Sequence, residues 1–378
     1  MKVFIKALLP KKFKANGIAC GLKKSGKLDL ALFYSEIPAK ASCKFTTNTV
    51  QAAPLKISKQ HLAKGKVFQA VIANSGNANC LTGAAGLKDA MDTTKAVSKA
   101  LGIKKERVLI NSTGVIGKRL QISKIIDGIP QLVSGLSIEG MDKAKKAIMT
   151  TDLFAKEISV KLTLGGKVVT VCGVAKGAGM IAPNMATMFA FIFTDANISQ
   201  GALDKALNLC VSVSFNCITV DGCMSTNDSV MILANGSSEN KLISGGKDLV
   251  GFTNALNIVC LELAKMIVRD GEGATKFIQI TVNKAKSVPQ AKIAALAIAN
   301  SNLFKTAVYG EDPNFGRIAA AVGASGVDMK EDSFRIKVSP LNKKDITVEV
   351  FLNTGSGRAT VYTSDLTPEY IKINAEYN

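Results

Sequence analysis

The stretch Lys176–Met188, KGAGMIAPNMATM, places two glycines, a proline and an asparagine just ahead of Thr187, which opens an apolar run over Met188–Thr194. Glycine and proline permit or impose unusual backbone angles, so the segment reads either as a strained functional turn or as a structural bend. A hydroxyl at the start of a buried strand would be held rigidly. Two neighbouring patterns imitate known chemistry and fail on detail. Gly21–Leu28, GLKKSGKL, lacks the hydroxyl residue that closes a phosphate-binding loop, because Leu28 stands there; it reads as a basic hairpin turn. Gly177, Gly179 and Ala182 fit a loose dinucleotide fingerprint, but a strand follows where a helix N-terminus is needed. His61 has no acid partner in sequence and reads as a surface histidine, while Met180, Met185 and Met188 read as core packing.

Composition narrows the chemistry further. The chain has 378 residues, of which 47% are hydrophobic and 20% charged, a globular balance that argues against disorder. With one histidine, a His-rich metal site is excluded, and any His-based triad would have to use His61. Lysine and arginine outnumber the acids to give a net charge of +19. Such a charge can mean a nucleic-acid or membrane partner, but the lysines are scattered and no aromatic stacking platform accompanies them. A solvated lysine surface or an anionic small substrate fits as well. The eight cysteines form no C-x-x-C pair. They are expected to be reduced, mostly buried thiols of a cytoplasmic protein. The start of the chain has too short an apolar stretch for export, and no membrane span is expected.

The elements that would position Thr187 alternate between strand and helix. Strands are expected over 68–75, 107–113 and 188–194, and a hairpin over 158–164 and 167–174 joined at Gly165–Gly166. Helical spacing marks 87–101, 121–135, 140–150, 203–211 and 249–267. Short strands near 276–282, 333–338, 346–352 and 359–363 close the chain. The fold class is α/β in the broad sense, with mixed, partly antiparallel sheets and no linker-marked domain boundary.

At KGAGMIAPNMATM the chain resembles the self-cleaving segment of the ornithine acetyltransferase family, also called glutamate N-acetyltransferases, many of them bifunctional proteins of arginine biosynthesis. The resemblance extends through TTNTVQAAP (46–54), ANSGNANCLTG (73–83), NSTGVIG (111–117), MTTD (149–152), ITVDG (218–222), STND (225–228), RDGEGATK (269–276), GEDPNFGRI (310–318) and INAEY (373–377). It implies a layered αββα-type sandwich and self-cleavage between Ala186 and Thr187. The products would be an alpha chain, 1–186, and a beta chain, 187–378, assembled as two of each. Cleavage would give Thr187 a free α-amine, with a pKa around 8, to take its own hydroxyl proton.

The same resemblance makes Thr187 the nucleophile that takes the acetyl group from N-acetylornithine and passes it to glutamate. It makes Thr113 and Gly114 an oxyanion pair. It assigns substrate contacts to Thr150, Lys176, Thr187, Glu272 and Asn374. Glu272 would hold the ornithine amine or position the Thr187 amine. No metal or bound cofactor is implied, and acetyl-CoA would be a co-substrate of a bifunctional member. The chain departs from the family at its end, where a Thr or Ser contacting substrate usually follows the tyrosine. That contact is either missing or made by Asn378 and its carboxylate. Cys217, Cys223 and Phe315 stand where Arg, Asp and Trp are usual. The competing readings are a related self-cleaving amidohydrolase or aminopeptidase and a basic nucleic-acid-binding protein.

Overall fold

A computed structural model describes residues 1–182 and 188–376, so Ala186, Thr187, Met185 and Asn378 lie outside the described residues. The chain divides into two compact units. The first comprises Met1–Gly177, Asn184–Ser214 and Met224–Leu263, and the second Ala178–Pro183, Phe215–Cys223 and Ala264–Asn378.

Unit 1 contains β1 (Lys2–Phe4), β2 (Phe13–Ile18), β3 (Leu30–Phe45), α1 (Ala53–Lys64), β4 (Phe68–Asn77), α2 (Gly83–Leu101), β5 (Val108–Val115), α3 (Ile122–Ser134) and α4 (Met141–Ala147). It continues with β6 (Lys156–Leu164), β7 (Lys167–Lys176), β8 (Phe189–Thr194), α5 (Gln200–Val213), β9 (Ser229–Ala234) and α6 (Gly246–Arg269), the last running on into unit 2. The strand order is β1-β6-β7-β8-β9-β3-β4-β5, with β2 also paired to β3. The long strand β3 serves both halves of this order. Its residues 30–34 pair with β2 and β4, and its residues 40–45 pair with β9. The ladder shifts register between Tyr34 and Ala39, where the strand changes partners.

The two halves stack face to face. Phe13 of β2 and Phe193 of β8 are not ladder neighbours, yet their rings lie 5.3 Å apart, and Phe33 of β3 contacts Phe191 and Phe193. Each fully buried Phe contributes roughly 1.5–3 kcal/mol of transfer free energy. Alternation sorts the rest. Ala31, Phe33, Val71, Ala73 and Leu109 face this inner layer, while Leu30, Leu32, Ala70, Ile72, Val108 and Ile110 face residues of α1, α2 and α3. On the other side Gly173 of β7 lets α6 approach: a Cβ there would stand 2.6 Å from Val259 and 2.8 Å from Leu263. The unit is therefore the expected αββα sandwich. The parallel pairs β4–β5 and β8–β9 are bridged by α2 and α5, as parallel strands require.

Unit 2 holds β10 (Phe277–Ala285), α7 (Val288–Ala299), α8 (Asn302–Tyr309), α9 (Phe315–Ala324), β11 (Arg335–Val338), β12 (Asp345–Phe351), β13 (Gly357–Ser364) and α10 (Pro368–Ala375). Its sheet runs β11-β12-β10-β13, with only β10–β12 parallel. Ile278, Ile280 and Val282 alternate with polar or outward residues, and pack with Ile346, Val348 and Val350 against Ala291, Ala295 and Ile298 of α7.

Several expectations change. His61 is buried at 6% exposure rather than on the surface, and its Nδ1 lies 2.7 Å from the Val108 carbonyl, fastening α1 to β5. Met188 is core, but Met180 is 39% exposed with φ +55, so it is not packing. Among the described residues α6 is the one helix long and apolar enough to cross a bilayer, and its Phe252, Leu256, Val259 and Leu263 are buried in the protein.

Candidate functional site

The parallel strands β4 and β5 end side by side at two glycines, and the site in unit 1 is built on those ends. Gly76 pairs with Gly114, with φ of +98 and +130 respectively. A Cβ on Gly114 would stand 2.4 Å from the Gly76 carbonyl carbon, so both the torsion and the close approach demand glycine. Thr113 precedes it, buried at 2% exposure.

Lys176, the last residue of β7, extends its buried side chain to the same place. Its Nζ donates to Thr150 Oγ1 at 2.7 Å and to Thr113 Oγ1 at 3.4 Å. An ammonium cannot accept, so both hydroxyl oxygens accept here and their own protons remain to be given elsewhere. Behind them lies Asp152. Its Oδ1 accepts from Lys156 Nζ at 2.7 Å and from the Gly177 amide at 2.6 Å, and its Oδ2 from the Thr150 amide at 2.8 Å. Lys176 Nζ stands 4.0 Å from the same carboxylate. Burial works against the charge of Asp152, but the ammonium groups of Lys176 and Lys156 outweigh it and hold the carboxyl well below the usual range.

Immediately after the Thr187 position, the Met188 amide donates to Asp228 Oδ1 at 2.8 Å, and its carbonyl accepts from the Ser229 amide at 3.1 Å. The other oxygen of Asp228 is buried with no hydrogen-bond partner among the described residues. Burial raises this carboxyl well above its ordinary value, against the Met188 amide, Lys176 and Thr46. Asn227 next door donates to the carbonyls of Ala78 and Ser112, at 2.7 and 2.6 Å, tying the start of β9 to the ends of β4 and β5.

Unit 2 carries its own cluster. Asn374 of α10 donates to Glu272 Oε2 at 2.9 Å, and the Glu272 amide donates to the Ala178 carbonyl at 2.9 Å. A Cβ on Gly179 would meet the Glu272 carboxylate at 2.2 Å, so that glycine leaves room for the acid. Asp221 caps the segment by accepting from the Met180 and Ile181 amides, at 2.6 and 2.9 Å, and from the Tyr370 hydroxyl at 3.2 Å. Burial and the adjacent Asp221 push the Tyr370 phenol above its usual range.

Of the residues singled out from sequence, Thr113, Gly114, Thr150 and Lys176 meet in unit 1, and Glu272 and Asn374 meet in unit 2. Thr187, Ala186 and Asn378 lie outside the described residues. Sequence reasoning gave no role to Asp152, Lys156, Asn227 or Asp228, although Asp152 ends the MTTD motif and Asp228 the STND motif. No group of three or more His, Cys, Asp or Glu side chains suited to a metal occurs among the described residues.

Comparison with known proteins gives a consistent result. The ArgJ family matches residues 14–342 and 337–378. The "arginine biosynthesis bifunctional protein ArgJ" of Geobacter sulfurreducens is 46% identical over 97% of this chain and 99% of its own length. That of Caldanaerobacter subterraneus subsp. tengcongensis is also 46% identical, over 98% of this chain and 97% of its own. Among solved structures, the ornithine acetyltransferase of Mycobacterium tuberculosis, in complex with ornithine, is 38% identical, with a TM-score of 0.44; the match covers 48% of this chain and 97% of that one.

Proposed function

The chain belongs to the ArgJ family, and from that membership we propose that it moves the acetyl group of N-acetylornithine to glutamate through an acetyl ester on Thr187. Maturation comes first: the Thr187 hydroxyl attacks the Ala186 carbonyl, the peptide becomes an ester, and water releases a new N-terminal threonine. Its α-amine, with an intrinsic pKa around 8, then serves as the base that histidine supplies elsewhere. That suits a chain with a single histidine, whose ring is engaged in fastening α1.

In the transfer, Thr187 Oγ adds to the acetyl carbonyl while its proton passes to the α-amine. The C–N bond breaks, ornithine leaves with that proton, and the glutamate amine attacks the ester to give N-acetylglutamate and restore the hydroxyl. The observation that carries this reading is the Lys176 ammonium donating to Thr113 and Thr150. It leaves the Thr113 proton for the developing oxyanion beside Gly114, where a fixed donor contributes about 3–4 kcal/mol. Lys176 and Thr150 receive the substrate carboxylate. Glu272, oriented by Asn374, holds the ornithine side-chain amine or the Thr187 amine.

In a bifunctional member acetyl-CoA would be the second acetyl donor, and the family resemblance implies no metal or bound cofactor. Two alpha chains, 1–186, and two beta chains, 187–378, make up the assembly. Eight free thiols support a reducing, cytoplasmic setting.

The test is an assay of ornithine release from N-acetylornithine by the purified chain, with and without glutamate. Release that requires glutamate is expected, as is its loss in Thr187→Ala. Glutamate-independent release of acetate would mark a hydrolase instead, and an active Thr187→Ala protein would remove the nucleophile.

A further inference from the structure

The basic turn between β2 and β3, dismissed above as a phosphate loop, delivers a lysine to the unit 1 site. Asp29 shapes the turn: its Oδ1 accepts from the Cys20 amide at 2.7 Å, and its Oδ2 from the amides of Leu22 and Lys23 at 2.7 and 3.0 Å. The stem of Lys23 then lies over Gly76, the glycine facing Gly114; a Cβ on Gly76 would stand 3.3 Å from Lys23 Cγ. The Lys23 Nζ donates to the carbonyls of Leu28 and Met149, at 2.8 and 2.7 Å. Met149 adjoins Thr150, whose hydroxyl accepts from Lys176 at 2.7 Å. Two ammonium groups thus converge on consecutive residues of one turn, next to the Thr113–Gly114 pair.

Like charges brought together in a half-buried place need a reason. Burial, with Lys176 and Lys27 as like-charged neighbours, brings the Lys23 ammonium down to about 8, against Asp29 and Asp152, which favour its charge. An ammonium has three N–H donors and the two carbonyls occupy two of them. A bound carboxylate would take the third and relieve the repulsion.

We infer that Lys23 is a second carboxylate-binding cation, forming with Lys176 a two-ammonium seat for the α-carboxylate shared by N-acetylornithine and glutamate. The inference rests on the transferase reading above and adds a specificity-determining residue to it.

The experiment compares Lys23→Gln and Lys23→Arg in the full-length protein. Glutamine keeps N–H donors for the two carbonyls but not the charge; arginine keeps both. The KM for N-acetylornithine and for glutamate is expected to rise about tenfold or more in Lys23→Gln, with kcat changed far less and with most of the affinity restored by Lys23→Arg. In the wild type the same KM values rise above about pH 8 as Lys23 loses its proton, and that rise disappears in Lys23→Gln. Wild-type KM in Lys23→Gln overturns the inference, as does equal loss in both variants or an unchanged pH profile. Intact mass shows whether each variant still cleaves. A wild-type chain that cleaves and transfers while Lys23→Gln keeps its KM refutes Lys23 alone. A wild-type chain with no transfer overturns the transferase reading, and the seat with it.

Discussion

Asp152 and Asp228 are both buried carboxyls of unit 1, and their surroundings drive them in opposite directions. Asp152 has two lysines and two backbone amides. Its folded-state pKa lies below the ordinary 3.8, so it contributes stability that is present above about pH 4 and is lost as pH falls toward the folded value. Asp152→Asn should therefore lower stability at pH 7 by about 3 kcal/mol, the scale of breaking a buried pair, and the difference from wild type should shrink in acid. Among the described residues Asp228 has one amide donor, from Met188, and its other oxygen has no hydrogen-bond partner. Its folded pKa is raised, so its contribution is intact below about pH 4 and is lost as pH climbs. Asp228→Asn keeps an acceptor for the Met188 amide and should gain on wild type between pH 4 and 8. Thermal melts of both variants across pH 3–8 check the signs; curves parallel to wild type would refute them. Neither residue's role was legible in sequence, because the partners of Asp228 and most of those of Asp152 come from other elements.

At the scale of elements, close approach and torsion can be separated by two glycines. Gly140 caps α4 where that helix meets β2, and a Cβ there would stand 1.8 Å from the Ala15 carbonyl oxygen, which itself accepts from the Ser137 amide at 3.1 Å. Gly102 ends α2 at φ +66 with nothing within 4 Å of a Cβ. Gly140→Ala should thus lose about 1–3 kcal/mol or more through overpacking, and Gly102→Ala about 1 kcal/mol through strain alone. Denaturant titration of the two proteins decides it; equal losses would mean that the α4–β2 contact yields. The legible elements were those with a clean signal. The β6–β7 hairpin has Gly165–Gly166 at φ +53 and +80, and α2 and α6 follow helical periods. Other elements were missed for physical reasons. The 16-residue β3 contains Glu36, Pro38 and Lys40, which read as breaks, but it bends there to change sheets. The helix α7, VPQAKIAALAIA, is small and apolar almost all round, which leaves no period to read.

For the whole molecule, the prediction to check is the proposed scission before Thr187. Denaturing intact-mass measurement should find two chains of 186 and 192 residues, the second beginning at Thr187; one mass for all 378 residues would leave Thr187 without the amine that the proposed chemistry needs. The sequence alone determined the family, through contiguous motifs such as the segment around Thr187, and a mixed α/β class, through local periodicity; the αββα layering came only as what the family resemblance implies. Tertiary structure decided which charges meet. Lys23, Thr113, the Thr150–Asp152 turn and Lys176 come from four stretches of chain, brought together because β4 and β5 end beside that turn and the end of β7. Spacing along the chain carries no record of that encounter. The burial that lowers Lys23 and raises Asp228 arises only when the layers close over them.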